Sequence, residues 1–583
     1  MSLAWLFHSV PGARPAPIIL LVLVTLVVGC ATPQGRDVSI APGTASQPEA
    51  PRRTLVIVAR GEPPMLAAKP IRGTGGALDT FVTLYNATLD WTDDDGNARP
   101  YLAEKVPRVN ADTWRVSPDG QMETTYKLRS NLTWHDGKPL SAEDFVFAHQ
   151  VYRTPDLGVA ASLPISAMAE VIAPDPQTVV IRWGRLFPDA GSLKQGFQAL
   201  PRHILEGPFT QLDSDSFANL PFWGTEYVGL GPYRLDRWEP GAYLEGTAFD
   251  GHALGRAKID RVRVNIVNDT NAAMASLLSG DAHFSAEYML WYEEAATLQQ
   301  QWQARGMTGV ALFSPTLPRI TQIQLRPEFA NPPELLDVRF RRALAHAIDN
   351  PTLVEVLTAN TGAVSPSVTA PLAEYAPQVQ GSIAKYPYDP RRAQQLIDEV
   401  GLTRGGDGMY ANAAGPLNLA VWHIEGSTNE RENAIITENL KRAGIGTSSS
   451  TLPTARLRDN EFRSKLPALF TGGGPGGEAS LLEYGTTAIP GPENRWQGGN
   501  RGGWISQEFD RYWLAFNTSL DRPERVRQIV EMERVLSEDV GTLVHYYSPV
   551  VNVHVGNLEG PTIRKIPETG AGIRQVWTWK WTS

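Results

Sequence analysis

Few groups of residues in this sequence have the types and the spacing that catalysis requires. Ser382 and Lys385 fit a Ser-x-x-Lys pattern, but no Lys-Thr-Gly or Ser-Asp-Asn sequence accompanies them. His423 and Glu425 match the first half of a zinc deaminase motif, whose second half needs two cysteines, whereas Cys30 is the only cysteine in the chain. The Gly-x-Ser-x-Gly elbow of α/β-hydrolases is absent. These patterns predict neither a nucleophile nor a zinc site.

Two other segments imitate ligand sites without completing them. Asp93, Asp95 and Asn97 supply alternating oxygen atoms as a calcium loop does, but alanine follows where a glycine must turn the chain. We therefore interpret this segment as a solvated hairpin turn. Residues 472–477 are rich in glycine, yet Pro475 removes an amide that a dinucleotide phosphate would need. We expect no metal and no cofactor, although bare glycine backbone allows a ligand to approach closely.

The first thirty residues are typical of export. An apolar run at residues 18–28 follows Arg14 and is too short to cross a bilayer, which takes about 20 apolar residues. We therefore predict a lipoprotein signal peptide at residues 1–29. The sequence Val-Val-Gly-Cys that ends at Cys30 resembles the lipobox of bacterial lipoproteins, which implies lipidation of Cys30 and attachment to a membrane by acyl chains. An ordinary signal peptide with an incidental cysteine is the alternative.

The rest of the chain divides into a short tether and a large body. Residues 30–53 are rich in Pro, Gly, Ser and Thr and are predicted to be a disordered tether, since they cannot repay the entropy of folding. Residues 54–583 are too long for one ordinary domain, so we expect at least two lobes. The net charge is −9 and no basic stripe occurs, which argues against nucleic-acid binding.

Strand and helix patterns alternate through the body, which predicts a mixed α/β fold. A β-branched run and several alternating segments indicate strands, and capping residues next to apolar stripes indicate helices. The predicted strands cover residues 54–59, 122–129, 231–238, 262–266 and 542–555. Five helices are predicted. One begins after Ser141, one ends before Gly280, one begins after Asp337, one runs from Asp389 to Gly401, and one includes residues 526–536.

Taken in order, these elements resemble the substrate-binding proteins of peptide, nickel and related ABC importers, which are the extracellular solute-binding proteins of family 5. The motifs that carry the resemblance span nearly the whole body. They lie at residues 100–104 (PYLAE), 126–144 (YKLR through WHDGKPLSAED), 231–233 (GPY), 278–281 (LSGD), 337–349 (DVRFRRAL through AID) and 388–393 (YDPRRA). The resemblance implies a bilobal, periplasmic-binding-protein-like fold of the large three-domain type, with mixed sheets flanked by helices.

The resemblance also implies how the chain is divided. Residues 54–85, 201–321 and 543–583 would form lobe I, residues 86–200 a domain inserted in it, and residues 322–542 lobe II. A solute held between the lobes would stabilise a closed form that the importer recognises.

Site residues follow from matching positions in the family. The resemblance implies that the solute contacts Glu62 after the first strand, Tyr85 and Asn86 near the lobe entrance, Trp422 and His423 on a strand of lobe II, Phe470, Thr471, Gly472, Gly473 and Gly474 in the pocket segment, and Trp504. We interpret His135 and Asp136 as structural turn residues. Peptide-binding relatives carry an acidic residue in the pocket segment, and residues 471–475 have none, so a peptide and an oligosaccharide both remain open. No His cluster supports nickel.

The resulting prediction is a monomeric, lipid-anchored, extracytoplasmic substrate-binding component that delivers its solute to the permease subunits of an ABC importer and is not an enzyme. One alternative is a secreted glycosidase-like hydrolase, which needs two cleft carboxyl groups about 5 to 10 Å apart. A second alternative is a lipoprotein that keeps the fold but has lost transport.

Overall fold

The computed structural model describes residues 54–67, 78–157, 159–160, 162–193, 196–453, 456–457, 459–494, 496–567 and 572–582. The predicted signal peptide, the tether and Cys30 lie outside the described residues. Within these ranges, no helix combines the length and the apolar character that crossing a bilayer requires.

Strands and helices alternate along the described chain. The strands are β1 (Thr54–Ala59), β2 (Asp90–Thr92), β3 (Ala98–Pro100), β4 (Trp114–Val116), β5 (Met122–Lys127), β6 (Met168–Asp175), β7 (Thr178–Trp183), β8 (Tyr233–Glu239), β9 (Tyr243–Ala248), β10 (Arg261–Ile266), β11 (Phe284–Ser285), β12 (Gly309–Ile323), β13 (Ala363–Val364), β14 (Thr403–Arg404), β15 (Tyr410–Asn412), β16 (Gly415–Pro416), β17 (Asn418–Ile424), β18 (Gly446–Leu452), β19 (Leu469–Gly473), β20 (Thr542–Val555), β21 (Leu558–Glu559) and β22 (Lys580–Trp581). The α-helices are α1 (Leu78–Tyr85), α2 (Ala142–Arg153), α3 (Arg202–Gln211), α4 (Ser214–Ala218), α5 (Thr270–Ser279), α6 (Tyr292–Ala304), α7 (Val338–Ala347), α8 (Asn350–Thr358), α9 (Ala376–Ser382), α10 (Pro390–Val400), α11 (Ser427–Arg442), α12 (Asn460–Ser464), α13 (Gln507–Thr518) and α14 (Arg522–Glu538).

One long sheet runs through most of the molecule. Its strand order is β18-β17-β19-β12-β20-β11-β1-β10-β9-β8, with β13 added beside β20. The centre of this sheet is the antiparallel pair of β12 and β20, which extends from Gly309 opposite Val555 to Gln322 opposite Thr542. Two register shifts interrupt the pair, between Pro315 and Leu317 and between Arg319 and Ile320, and such bulges bend and twist strands.

The buried apolar side chains form separate cores on the two sides of this central pair. The first side packs residues from 55–302 together with residues from 551–579. The second side packs residues from 323–546. The chain is therefore bilobal, and we call these two sides lobe I and lobe II, joined through β12 and β20.

The strongest local patterns in the sequence produce the predicted elements. The buried strand at Thr54–Ala59 is confirmed and pairs in parallel with β10 and β11. Helix α10 is also confirmed, because Asp389 accepts hydrogen bonds from the first-turn amides of Arg391 and Arg392 and Gly401 ends the helix at a φ of 97°. The strand at 542–555 is confirmed with both predicted ends.

A second sheet belongs to lobe I. It has the order β4-β5-β7-β6, and the alternating side chains of β5 bury Met122, Thr124 and Tyr126 on one face, as the pattern predicts. Helix α2 follows at Ser141, whose backbone amide donates to the carboxylate of Asp144 at 2.9 Å in a capping box.

Candidate ligand-binding site

A cleft of about 880 Å³ lies between the two lobes. Lobe I contributes one face of α1, the hairpin of β2 and β3, residues 187–193 and part of residues 565–577. Lobe II contributes residues 370–375, Gly477, Glu478 and the first turn of α14. The volume lies within the range of about 300–1,000 Å³ that is usual for small-molecule sites.

One face of helix α1 forms a wall of the cleft. Asp79, Val82, Thr83 and Asn86 line it with the three- and four-residue spacing that places helical side chains on one side. Asn86 is 4% exposed, its amide donates to the Leu66 carbonyl oxygen at 2.6 Å, and its own carbonyl oxygen accepts from Gln198 and Tyr227. These bonds hold the end of the helix in a fixed position.

The tip of the β2–β3 hairpin forms a second wall. The Asp93 carboxylate accepts from the backbone amides of Asp95 at 3.0 Å and Asn97 at 2.8 Å, so the predicted hairpin turn is confirmed. Asp95 also pairs with Lys565 at 2.5 Å, and both side chains line the cleft. The sequence predicts this turn to be solvated. In the structure the Asp95–Lys565 ion pair also joins it to the C-terminal segment at the edge of the cleft.

Aromatic rings supply the apolar part of the lobe I wall. Trp91 and Trp577 meet edge to face with their ring centroids 5.8 Å apart, and Tyr101 lies 5.5 Å from Trp577. All three rings line the cleft. Such rings offer both flat apolar surface and a negative face that attracts cations.

Lobe II presents a network of charges. Arg522 donates to Glu374 at 2.8 Å and to Glu478 at 2.6 Å, and its guanidinium lies 5.5 Å from the centroid of the Tyr375 ring. Burial alone would lower the pKa of Arg522, but the hydrogen bonds to Glu478 and Glu374 outweigh burial and raise this pKa above its usual value. Arg522 therefore stays charged and orders the two carboxylates.

One ion pair crosses the cleft. Arg525 on α14 donates to Asp189 of lobe I at 2.9 Å, and the same guanidinium lies 4.2 Å from the centroid of Phe516. Arg525 is nearly buried, whereas Asp189 is half exposed. The pair is a direct polar contact between the lobes.

Asp79 differs from the other cleft acids. Within the described part of the chain, its carboxylate takes part in no hydrogen bond and no ion pair, while its side chain is exposed and lines the cleft. Desolvation by the surrounding walls raises the pKa of Asp79, and the positive charge of Arg564 opposes this only in part.

The structure places most of the sequence-predicted site residues outside this lining. Asn86 lines the cleft. Glu62 instead accepts from the Trp238 indole at 2.5 Å and the Gly241 amide at 3.0 Å, and Tyr85 is fully buried in lobe I.

The predicted residues of lobe II pack inside that lobe. Trp422 meets Phe462 edge to face, His423 is buried next to Thr451, and Thr471 bonds to the Trp422 carbonyl oxygen. Further along, Phe470 lies under the Arg463 guanidinium, Gly472 and Gly473 pair with β12, and Trp504 packs on Phe509 and donates to Asp539 at 3.3 Å.

Glycine at position 474 has a packing reason. A Cβ atom there would lie 2.6 Å from Cδ1 and 2.9 Å from Cγ1 of Ile320 on the neighbouring strand β12.

His135 has structural hydrogen bonds, because its ring accepts from the Gly229 amide and bonds to the Gly231 carbonyl oxygen. Burial lowers the pKa of His135 to about 4, so the ring is neutral.

Comparison with known proteins gives the same architecture. A family model described as bacterial extracellular solute-binding proteins, family 5 middle, matches residues 104–481. A putative ABC transporter peptide-binding protein of Brucella ovis is 24% identical over 421 residues, which are 71% of this chain and 73% of that protein. The oligopeptide-binding protein AppA of Bacillus subtilis is 24% identical over 433 residues, or 73% of this chain and 74% of AppA.

Solved structures with the same fold cover nearly the whole body. NikZ from Campylobacter jejuni in complex with Ni(L-His) superposes with a TM-score of 0.73 at 20% identity, covering 91% of this chain and 100% of NikZ. AppA from Bacillus subtilis in complex with a nonapeptide gives a TM-score of 0.71 at 20% identity, covering 91% and 99%. The predicted bilobal α/β fold class is confirmed.

Proposed function

Because the chain belongs to the bacterial extracellular solute-binding proteins of family 5, it is the solute-binding component of an ABC importer rather than an enzyme, and we propose that it captures a short peptide. The observation that carries the proposal is the cleft of about 880 Å³ with charged and aromatic walls from both lobes. A secreted hydrolase is not favoured, since the relatives are binding proteins.

The composition of the cleft walls supports a zwitterionic solute over a neutral sugar. Carboxylates, basic groups and aromatic rings all contribute to the cleft walls. The charged lining residues are Asp79, Asp90, Asp95, Asp189, Glu374, Glu478, Arg522, Arg525, Lys565 and Arg574. A peptide presents opposite charges at its two ends and amides between them, so it can satisfy such walls. Two relatives of the chain are named as a putative peptide-binding protein and an oligopeptide-binding protein, which agrees with this class.

We propose capture by closure of two hinged lobes. The paired strands β12 and β20 join the lobes, and a solute that contacts both walls stabilises the closed form. A preference of about 10⁴ for the closed form corresponds to about 5.5 kcal/mol. The domain boundaries predicted from the sequence, with lobe II at 322–542, remain part of this proposal.

We also propose that lipid on Cys30 anchors the protein outside the cytoplasm and that the closed form delivers its solute to the permease subunits. Of the residues predicted at the solute, we keep Asn86 as a direct contact. The packing of Glu62, Tyr85, Trp422, His423, Phe470, Thr471, Gly472, Gly473, Gly474 and Trp504 supports a role in holding the walls in place.

The proposal is tested by ligand-dependent closure. Purified protein is titrated with di- to pentapeptides, with maltotriose and nickel-histidine as comparison solutes, while thermal unfolding and the radius of gyration are measured. We expect peptides to raise the melting temperature and to lower the radius of gyration. Stabilisation by maltotriose alone would contradict the peptide assignment, and binding without compaction would contradict closure.

A matched pair of variants locates the binding. Leu372 lines the cleft with 51% exposure, and Val356 on α8 lies outside the lining with 52% exposure. Leu372→Trp narrows the cleft and should weaken peptide binding about tenfold or more, whereas Val356→Trp should leave it unchanged.

A further inference from the structure

The charges of the cleft do not cancel. Each basic side chain in its lining has an acidic partner in the described residues. The pairs are Arg522 with Glu374 and Glu478, Arg525 with Asp189, Lys565 with Asp95, and Arg574 with Asp94. Every basic side chain of this lining is therefore already paired with a carboxylate of the protein. An anionic group of a solute would have to displace one of these carboxylates.

In contrast to these basic side chains, the acidic residue Asp79 has no ion-pair partner among the described residues. Its carboxylate has neither a hydrogen bond nor an ion pair with another described residue, although the side chain lines the cleft and is exposed there. Its position in the first turn of α1 favours the ionised form, because the helix dipole is positive at that end. A charged carboxylate that lines the cleft without a counter-ion attracts a cationic group that enters the cleft.

The positive charge that acts on Asp79 belongs to Arg564, which already has an acidic partner. Arg564 acts on the Asp79 carboxylate from a distance, but its Nε lies 3.2 Å from Oε1 of Glu287, and both of these side chains are buried. Arg574 is likewise paired with Asp94. Each of these two guanidinium groups is thus paired with a carboxylate other than that of Asp79.

We propose that Asp79 is a specificity-determining residue that binds a cationic group of the solute, an ammonium or a guanidinium. This inference rests on the proposed function and goes beyond it, because it names the chemical group that a solute must carry and the carboxylate that recognises it. The Thr83 hydroxyl lies on the same helix face and donates to the Asp79 carbonyl oxygen at 2.7 Å, so its oxygen can still accept a hydrogen bond from the bound cation.

The test uses matched peptides that differ by one charge. Trialanine, tetraalanine and pentaalanine are compared with their N-acetylated forms, and Ala-Lys-Ala with its doubly acetylated form, by isothermal titration calorimetry. The free amines should bind about 10- to 100-fold more tightly to the wild-type protein, the range expected for a charge-assisted hydrogen bond. Asp79→Asn should abolish this preference, and Asp79→Lys should reverse it.

Asp119→Asn serves as the control, because this exposed residue lies outside the cleft lining and its replacement changes the net charge equally. The control should keep the full preference for free amines. If Asp79→Asn also keeps it, Asp79 is not the recognition group, although peptide binding stands. If no peptide of either series binds the wild-type protein, the proposed function itself is wrong and the role of Asp79 falls with it.

Discussion

Asp189 and Arg525 are 336 positions apart in the chain, yet Nη1 of Arg525 lies 2.9 Å from Oδ1 of Asp189 across the cleft. Asp189 follows Phe187 of the lobe I core, and Arg525 lies near the start of helix α14, which carries Ile529 and Met532 of the lobe II core. The pair therefore couples the positions of two separately packed lobes. A contact of this kind adds to the stability of a closed arrangement before any solute is bound.

Replacing Asp189 with Asn should shift the protein toward an open form. Because Asp189 is 52% exposed, we expect the pair to contribute about 1 kcal/mol at most, or about a fivefold change in the equilibrium. Small-angle scattering without solute should show a larger radius of gyration, and peptide affinity should fall by a similar factor. Glu170→Gln breaks the exposed 2.7 Å pair with Arg182 in the second sheet and should change neither quantity. Equal behaviour of the two variants would show that the Asp189–Arg525 pair does not hold the lobes together.

The sequence predicts those elements whose causes are local. Asp389, Pro390 and Gly401 start and end α10 through bonds within a few residues, and Gly280 ends α5 at a φ of 82°. Arg341 on α7 shows where local patterns stop being informative, because its partner is distant in the chain. Its side chain is buried and donates to the Asp539 carbonyl oxygen, 198 residues away.

The cleft is harder to predict because its residues are brought together by contacts between distant parts of the chain. Asp79, Glu374 and Arg525 come from three distant segments, and no short motif surrounds any of them. Trp422 and His423 are adjacent on β17, so their side chains point to opposite faces and at most one of them can face a given surface. A resemblance to a family indicates the fold, whereas the pairing of charges across a cleft depends on tertiary contacts particular to this chain.

Gly231→Ala should displace the end of helix α1, which forms a wall of the cleft. A Cβ atom at position 231 would lie 2.3 Å from the Tyr85 carbonyl carbon and 2.4 Å from the Asn86 nitrogen, and backbone atoms cannot rotate away as a side chain can. We expect a loss of about 3 kcal/mol in the free energy of unfolding, at the upper end of overpacking effects. Peptide affinity should also fall, because the end of α1 is displaced.

Gly381→Ala provides the comparison for Gly231→Ala. A Cβ atom at position 381 of helix α9 meets nothing within 4 Å apart from its own helix backbone and chain neighbours, and alanine favours helix over glycine by up to about 1 kcal/mol. Urea unfolding should therefore show a small gain for Gly381→Ala and a large loss for Gly231→Ala. A similar small effect at both positions would contradict the tight packing of Gly231 against α1.

Cys30→Ser should release the protein from the membrane. Lipid attachment requires the thiol, and two or more acyl chains are needed for firm anchoring. Cell fractionation with radiolabelled palmitate should show label and membrane association for the wild-type protein and neither for the variant. Ser46→Ala in the predicted tether should behave as wild type. Unlabelled wild-type protein that is still exported would support the alternative of an ordinary signal peptide.

Glu533 should make the stability of the protein depend on pH. This residue on α14 is 1% exposed, and its carboxylate accepts from the Thr369 hydroxyl at 2.6 Å and the Val368 amide at 3.3 Å. Burial raises its pKa from 4.5 to about 7, although these bonds lower it in part. Between these two values the folded protein holds a proton that the unfolded chain has lost. The contribution of Glu533 to stability is therefore greatest below about pH 4.5, falls as the pH rises toward 7, and is smaller above it by on the order of 3 kcal/mol.

Glu533→Gln tests this pH dependence because glutamine imitates the protonated side chain. Its carbonyl oxygen can accept from the Val368 amide, and its amide group can donate to the Thr369 hydroxyl oxygen, so the bonds to the segment before the cleft residue Ala370 are kept. Urea unfolding at pH 4, 6 and 8 should show equal stability of variant and wild type at pH 4 and a more stable variant at pH 8. Glu531→Gln on the same helix alters a partly exposed carboxylate and should not change the pH profile. An unchanged profile in Glu533→Gln would mean that Glu533 is ionised in the folded protein throughout this range, and that the Thr369 hydroxyl and the Val368 amide compensate its charge in full.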